Sequence, residues 1–234
     1  MSSTSCERVH KRVMNETEEQ WVVGFWEGDG ACGTYFHRRS GLTPQIAFYQ
    51  KDRDMLGYTQ ALLGLGNIYK HSTVYDLAVR GNPRCAKAFS LLCKYVVGRQ
   101  SVNKINHVFE ELGLSVRAQE HEPTASWIAG FFDAEGCVGW DPSGGLTLYI
   151  AQKDRTVLEK IQERVGGRIY PADSVYHLWF CNYTLRNSDV VPLISKFSHN
   201  EPKRQRLIIM LHVLARNDGV WGRWAGELVG GKEL

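Results

Sequence analysis

The segment QWVVGFWEGDG at residues 20–30 returns as SWIAGFFDAEG at residues 126–136. Trp21 pairs with Trp127, Gly24 with Gly130, Phe25 with Phe131, Asp29 with Glu135 and Gly30 with Gly136, all at an offset of 106. Further on, Gln50-Lys51-Asp52-Arg53 recurs as Gln152-Lys153-Asp154-Arg155 at an offset of 102, and Ile68-Tyr69 and Val74-Tyr75-x-Leu77 recur at 101. Matches in one order with a slowly drifting offset mean that a single fold is present twice. The drop from 106 to 102 places a four-residue length difference between Gly30 and Gln50, where a hairpin loop absorbs it. The copies are read as residues 1–114, with a short N-terminal arm, and 125–234, with a Gly/Trp-rich tail; the polar stretch 115–124 (SVRAQEHEPT) links them.

Within each copy the pattern predicts α-β-β-α-β-β-α, an α+β fold. Thr17 and Gln20 have the spacing of a capping box at the start of the first helix. Val22, Val23, Phe25 and Trp26 cover most of that helix's circumference, so it is expected to be buried nearly all round and to stop at Gly30. Alternation follows: Ile46 and Phe48 face one way, Thr43, Gln45 and Tyr49 the other, and Leu148 and Ile150 oppose Thr147 and Tyr149 in the second copy. On the strand before, Gly33, Tyr35, His37 and Arg39 share the polar parity opposite Phe36. Each sheet is thus expected to turn an apolar face to helices and a face rich in Tyr, His, Arg, Gln and Thr to a partner.

The six cysteines form no CxxC pair, which points to buried thiols in a reducing compartment. A net charge of +3 permits nucleic-acid binding without demanding it. No stretch is long and apolar enough to span a membrane, and the N-terminal MSSTSCERVHKR lacks a secretory core. The expectation is a soluble intracellular protein, cytoplasmic or organellar, with no membrane partner.

Gly24 and Gly28 lie four residues apart on one helix face, as do Gly130 and Ala134. Small residues at that spacing let two helix backbones approach closely. If the copies pack by these faces, Asp29 and Glu135 end side by side. Two close carboxylates repel unless a cation lies between them, and oxygen-only ligation suits a hard ion such as Mg²⁺. A carboxylate is also unfavourable at a helix C-terminus, and here one occurs at matched positions in both copies.

VVGFWEGDG and IAGFFDAEG resemble the two signature helices of the LAGLIDADG homing endonucleases in their monomeric two-repeat form, and the paired QKD segments extend the resemblance over about residues 17–216. Val, Phe and Trp replace the expected leucines, and the acids are one Asp and one Glu. The resemblance implies two pseudo-symmetric αββαββα repeats packed through their signature helices. Their saddle-like antiparallel sheets would lie along the DNA major groove, with two active sites beneath the helix ends. It implies that Asp29 and Glu135 hold divalent ions with help from the carbonyls of Gly28 and Ala134. Mn²⁺ would substitute for Mg²⁺, and Ca²⁺ would be non-productive. Gln50 and Gln152 would order water, with Lys51 and Lys153 as candidates for charge stabilisation. A basic residue at the start of each copy's last helix is also implied; Lys104 and Lys203 are chosen, with Arg99 and Arg204 as rivals.

The polar sheet faces then carry base recognition. In the first copy the candidates are Tyr35, His37, Arg39, Thr43, Gln45, Tyr49, Tyr69, Lys70, His71 and Thr73. In the second they are Asp141, Ser143, Thr147, Tyr149, Arg168, Tyr170 and Asp173. The leading expectation is an intron- or intein-associated endonuclease that makes a staggered double-strand break at a long asymmetric DNA site by metal-dependent phosphodiester hydrolysis. A second reading keeps the scaffold for intron RNA, as a maturase, or for DNA binding without cleavage. A third, a small-molecule metal hydrolase, lacks the His ligands such sites often use.

Overall fold

The structure, a computed structural model, describes residues 13–140, 146–181, 185 and 188–217. Asp141, Ser143, the N-terminal arm and the Gly/Trp tail beyond Asn217 lie outside the described residues. The first repeat runs α1 (Glu16–Asp29), β1 (Gly30–His37), β2 (Gly41–Gln50), α2 (Arg53–Leu63), β3 (Asn67–His71), β4 (Val74–Arg80), α3 (Asn82–Tyr95), α4 (Arg99–Glu111). The second runs α5 (Ala125–Glu135), β5 (Gly136–Trp140), β6 (Leu146–Gln152), α6 (Arg155–Val165), β7 (Arg168–Ala172), β8 (Val175–Phe180), α7 (Val190–Phe197), α8 (Glu201–Asn217). Each repeat holds one four-stranded antiparallel sheet, ordered β1-β2-β4-β3 and β5-β6-β8-β7.

The sheets alternate as their sequences require. Ile46 and Phe48 on β2, and Leu148 and Ile150 on β6, are buried against the helices. Their register partners Val79, Leu77, Phe180 and Leu178 continue the same apolar face. Residues 21–26 of α1 and 126–133 of α5 are buried without interruption. These two helices therefore form the centre of the molecule, each covered by its own sheet and by the other helix.

Four sequence expectations change. The helix start is capped by Asn15, whose side chain accepts from Glu18 N at 2.9 Å while Glu18 Oε2 accepts from Asn15 N at 3.0 Å. Asn15 and Glu18 thus form the box expected of Thr17 and Gln20. The last helical stretch of each repeat is two helices: Val96 is extended (φ −61°, ψ 135°) and divides α3 from α4, and Ser198 (φ −70°, ψ 136°) divides α7 from α8. Strand β1 ends at His37, so Arg39 sits with Arg38 in the β1–β2 turn and has no strand parity. Phe36, placed by parity on the apolar face, is 75% exposed, because β1 and β2 run past the helices that cover their other end.

Candidate active site at the paired helix ends

Helices α1 and α5 meet backbone to backbone. A Cβ on Gly24 would overlap the carbonyl oxygen of Trp127, and one on Gly130 would overlap the carbonyl oxygen of Trp21. A Cβ on Gly28 would overlap that of Ala134. Equivalent positions face each other, so the helices run in the same direction and their C-terminal ends lie together. This geometry brings Asp29 and Glu135 into one electrostatic neighbourhood. Burial pushes the Glu135 carboxyl up to about 7; the nearby Asp29 charge adds to the rise and Lys203 opposes it. Asp29 is raised by burial, against Lys203 and a hydrogen bond from Gln50.

The Gln50 amide has a fixed orientation. Its Oε1 accepts from Lys51 N at 2.9 Å, which turns its NH₂ group toward Asp29 Oδ2 at 2.8 Å. Gln152 is pinned in the same way by Lys153 N at 2.6 Å. What Lys51 and Lys153 bring to the site is this backbone N–H; their side chains are exposed.

Lys203 and Lys104 do not occupy equivalent places. Lys203 is half-buried, and its ammonium caps the last turn of α5, donating to the carbonyls of Phe132 (3.0 Å), Asp133 (2.8 Å) and Ala134 (3.2 Å). Cations at a helix C-terminus are favourable, and this one also neighbours Asp29, Glu135 and Asp133. Burial nevertheless holds its pKa below the ordinary lysine value. The Ala134 carbonyl, expected to help hold a metal ion, is thus shared with an ammonium. Lys104 is exposed on α4, one turn further along its helix, and neighbours Cys32 on β1. Its positional counterpart is Arg206, which donates to Val138 O on β5 at 3.2 Å; Ser101 stands where the first repeat would need a lysine to match Lys203.

Two further acids, to which the sequence reading gave no role, stand in the last turns of α1 and α5, two residues before the pair. Glu27 accepts from Val97 N (2.6 Å), Gly98 N (2.8 Å) and the Trp127 indole (3.1 Å), with Ser101 also donating. Asp133, 0% exposed, accepts from the Trp21 indole (2.9 Å), His199 N (2.7 Å) and the Ser198 hydroxyl. Burial pushes Glu27 up to about 7, against the hydrogen bonds it accepts. The available signal was their recurrence at one offset inside helices that are apolar all round.

The open sheet faces gather most of the expected side chains. On the first, Gln45, Tyr49, Tyr69 and His71 share one parity, with Tyr35 and His37 on β1. His71 Nε2 lies 2.6 Å from Asp76, and Arg80 lies over the Tyr69 ring at 5.5 Å. Thr43 and Thr147 share the parity but are buried, and the Thr43 hydroxyl is bonded within the β1–β2 turn. Lys70 falls on the opposite face, over Tyr75, while Thr73 and Asp173 lie in the turns that close β3–β4 and β7–β8. On the second face Arg168 and Tyr170 are exposed, and Tyr149 stacks between His177 (4.8 Å) and Trp179 (5.5 Å). The register sets Cys137, Tyr149 and Trp179 where the first sheet has Ala31, Ala47 and Ala78. The sequence reading found neither His177 nor Trp179.

Among the described residues no group of three His, Cys, Asp or Glu side chains could hold a metal ion. The carboxylates of Asp29 and Glu135, with the Gly28 carbonyl, are all-oxygen donors that suit Mg²⁺, an ion that retains several waters and is completed by substrate phosphate. No helix among the described residues is long and apolar enough to cross a membrane.

Residues 122–168 match the family model described as a LAGLIDADG-like domain. The chain is 28% identical over 177 residues to the intron-encoded RNA maturase bI4 of Saccharomyces cerevisiae, covering 70% of this chain and 27% of that protein, so it spans about a quarter of the curated relative's length. Its fold is that of two solved LAGLIDADG meganucleases. I-SmaMI bound to uncleavable DNA has a TM-score of 0.69 at 14% identity, over 92% of this chain and 97% of that one. I-AabMI bound to uncleaved DNA has a TM-score of 0.67 at 16% identity, over 87% and 92%.

Proposed function

We propose that this chain, which belongs to the LAGLIDADG family and carries its fold twice, is a site-specific endonuclease of double-stranded DNA acting as a monomer. The observation that carries the reading is the placement of Asp29 and Glu135 at adjoining helix ends, where both are raised by burial and Glu135 further by its neighbour. Lys203 offsets part of the cost of such a pair, and a divalent ion would offset the rest. The fold's similarity to DNA-bound meganucleases supports the same reading.

A divalent ion held by Asp29 and Glu135 would supply Lewis acidity and an activated water for phosphodiester hydrolysis. The chain's own residues do the rest. Gln50 holds one Asp29 oxygen and so fixes the direction of the other. Lys203 places positive charge beside both acids and the α5 carbonyls, where negative charge builds as a phosphate is attacked. The two open sheet faces present hydrogen-bonding and aromatic side chains to base edges on either side of the site.

A second reading, action on intron RNA as a maturase, rests on the match to the yeast maturase. The deciding experiment incubates the protein with a randomised or host-locus DNA library and Mg²⁺ and sequences the new ends. Paired ends at one asymmetric site, lost in chelator and with Asp29→Asn or Glu135→Gln, support the endonuclease. No ends from DNA, with selective retention of an intron transcript, would favour the maturase.

A further inference from the structure

Glu27 and Asp133 are used by nothing in the mechanism above, yet they are among the most heavily bonded side chains in the protein. Glu27 faces three N–H groups and Asp133 two, all of which can only donate, each together with a serine hydroxyl, so each place calls for a side chain that accepts several hydrogen bonds. Their partners come from three directions. Glu27, in the last turn of α1, takes the N–H groups of Val97 and Gly98 just before α4, and takes the indole N–H of Trp127 from α5. Asp133, in the last turn of α5, takes the Ser198 hydroxyl and the His199 N–H just before α8, and takes the indole N–H of Trp21 from α1. The two tryptophans cross the interface in opposite senses. Each acid stands two residues before Asp29 or Glu135, so its bonds hold the last turn that carries that acid.

We propose that Glu27 and Asp133 are positioning residues, each keyed by a tryptophan of the opposite repeat, and that each sets the geometry of one strand-cutting site. Glu27 fixes Asp29 against the start of α4, and Asp133 fixes Glu135 against the start of α8 and Lys203. The proposal rests on the endonuclease reading. Its signature is crossed. Loss of the Trp127 N–H leaves a Glu27 oxygen short of a donor in the first repeat, although Trp127 belongs to the second. A phenylalanine at 127 keeps the ring stack on Phe131, at 5.0 Å, so α5 itself is little changed. Trp21 stacks on Phe25 at 5.1 Å in the same way.

The test uses the full chain and a target duplex whose strands carry different end labels, cut in Mg²⁺ under single turnover. Asp29→Asn and Glu135→Gln identify the strand that depends on each acid. Trp127→Phe should slow the Asp29-dependent strand by about tenfold to a hundredfold, as for a group displaced by a fraction of an ångström, and leave the other within about twofold. Trp21→Phe should do the reverse. Indole ¹H–¹⁵N resonances give a readout independent of cutting: Glu27→Gln should move the Trp127 signal and not that of Trp21, and Asp133→Asn the opposite. Equal slowing of both strands, no slowing of either, or an uncrossed indole pattern overturns the proposal. If a tryptophan variant does not fold, Ser198→Ala removes a donor from Asp133 alone and should slow only the Glu135-dependent strand; equal effects overturn it. If the unmodified chain leaves both strands whole, the endonuclease reading fails, and the indole pattern still decides the clamp.

Discussion

His199 is held between the two repeats by its ring. It packs against the Tyr58 ring at 4.4 Å with the planes tilted by 34°, shares a hydrogen bond with the Tyr58 hydroxyl at 3.2 Å and meets Trp21 edge-on at 5.0 Å. Burial lowers its pKa below the ordinary 6.5; Glu18 opposes this and Arg204 reinforces it. The folded state thus binds fewer protons at this group than the unfolded chain, and folding stability rises with pH through its titration. This contribution is complete above about pH 6.5 and is lost as pH falls through the lower folded value. Thermal unfolding without divalent ions should show the difference between the unmodified protein and His199→Phe shrinking as pH drops from about 7.5 to about 5; a difference that does not vary with pH would remove His199 from the acid response. Other residues show where sequence reading stops at this scale. Asp29, Glu135 and Gln50 were legible because each repeats at a fixed offset. Lys104 and Lys203 were not separable, because they sit one turn apart relative to their helix starts, a shift of about 5 Å that only the position of each helix start reveals.

At the scale of elements, the contact between α1 and α5 depends on the absence of side chains. Gly24→Ala or Gly130→Ala would drive a methyl into a carbonyl of the opposite helix, a collision with backbone that no rotamer change relieves. Either change should cost about 3 kcal/mol or more, read as a lower denaturation midpoint at unchanged slope. Gly57, whose Cβ would meet nothing, should accept alanine with little loss, and equal sensitivity at all three positions would refute the close approach. The sheets invite a different comparison. With alanines in the middle of one face and Tyr149, His177 and Trp179 stacked on the other, the two faces offer different chemistries, and under the proposed function the two half-sites would be read differently. Trp179→Ala should cost about 1–3 kcal/mol of binding and relax base preference only in the half-site under the second sheet. Profiling every single-base change of the target checks this, and an altered first half-site would contradict it. Strand faces were legible because alternation with period two survives burial of one side. The α3–α4 break was not, because Val96 and Val97 are as apolar as a continuing helix would be, and only Gly98 hints at an end.

At the scale of the whole molecule, repetition supplies two acids and two glutamines but, among the described residues, only one half-buried lysine near them. Ser101 occupies the place in α4 that corresponds to Lys203 in α8, and the Lys203 ammonium neighbours Asp29 and Glu135 alike. One cation therefore serves acids from both repeats, and the molecule is symmetric in its carboxylates and asymmetric in its positive charge. Lys203→Met keeps most of the stem and removes the charge. It leaves the carbonyls of Phe132, Asp133 and Ala134 without their donor and the two acids without their nearest opposing charge. Both strands should then be cut more slowly, by about a hundredfold, as for the loss of a preorganised charge beside the reacting group. Binding in Ca²⁺ should change far less, because the sheet faces proposed to hold the duplex are untouched. Lys104→Met should act on one strand at most, since that residue lies exposed by Cys32 and away from α5. Strand-resolved rates for the two variants decide it: if Lys203→Met slows a single strand, the ammonium belongs to one site, and the positive charge for the other must come from elsewhere in the first repeat.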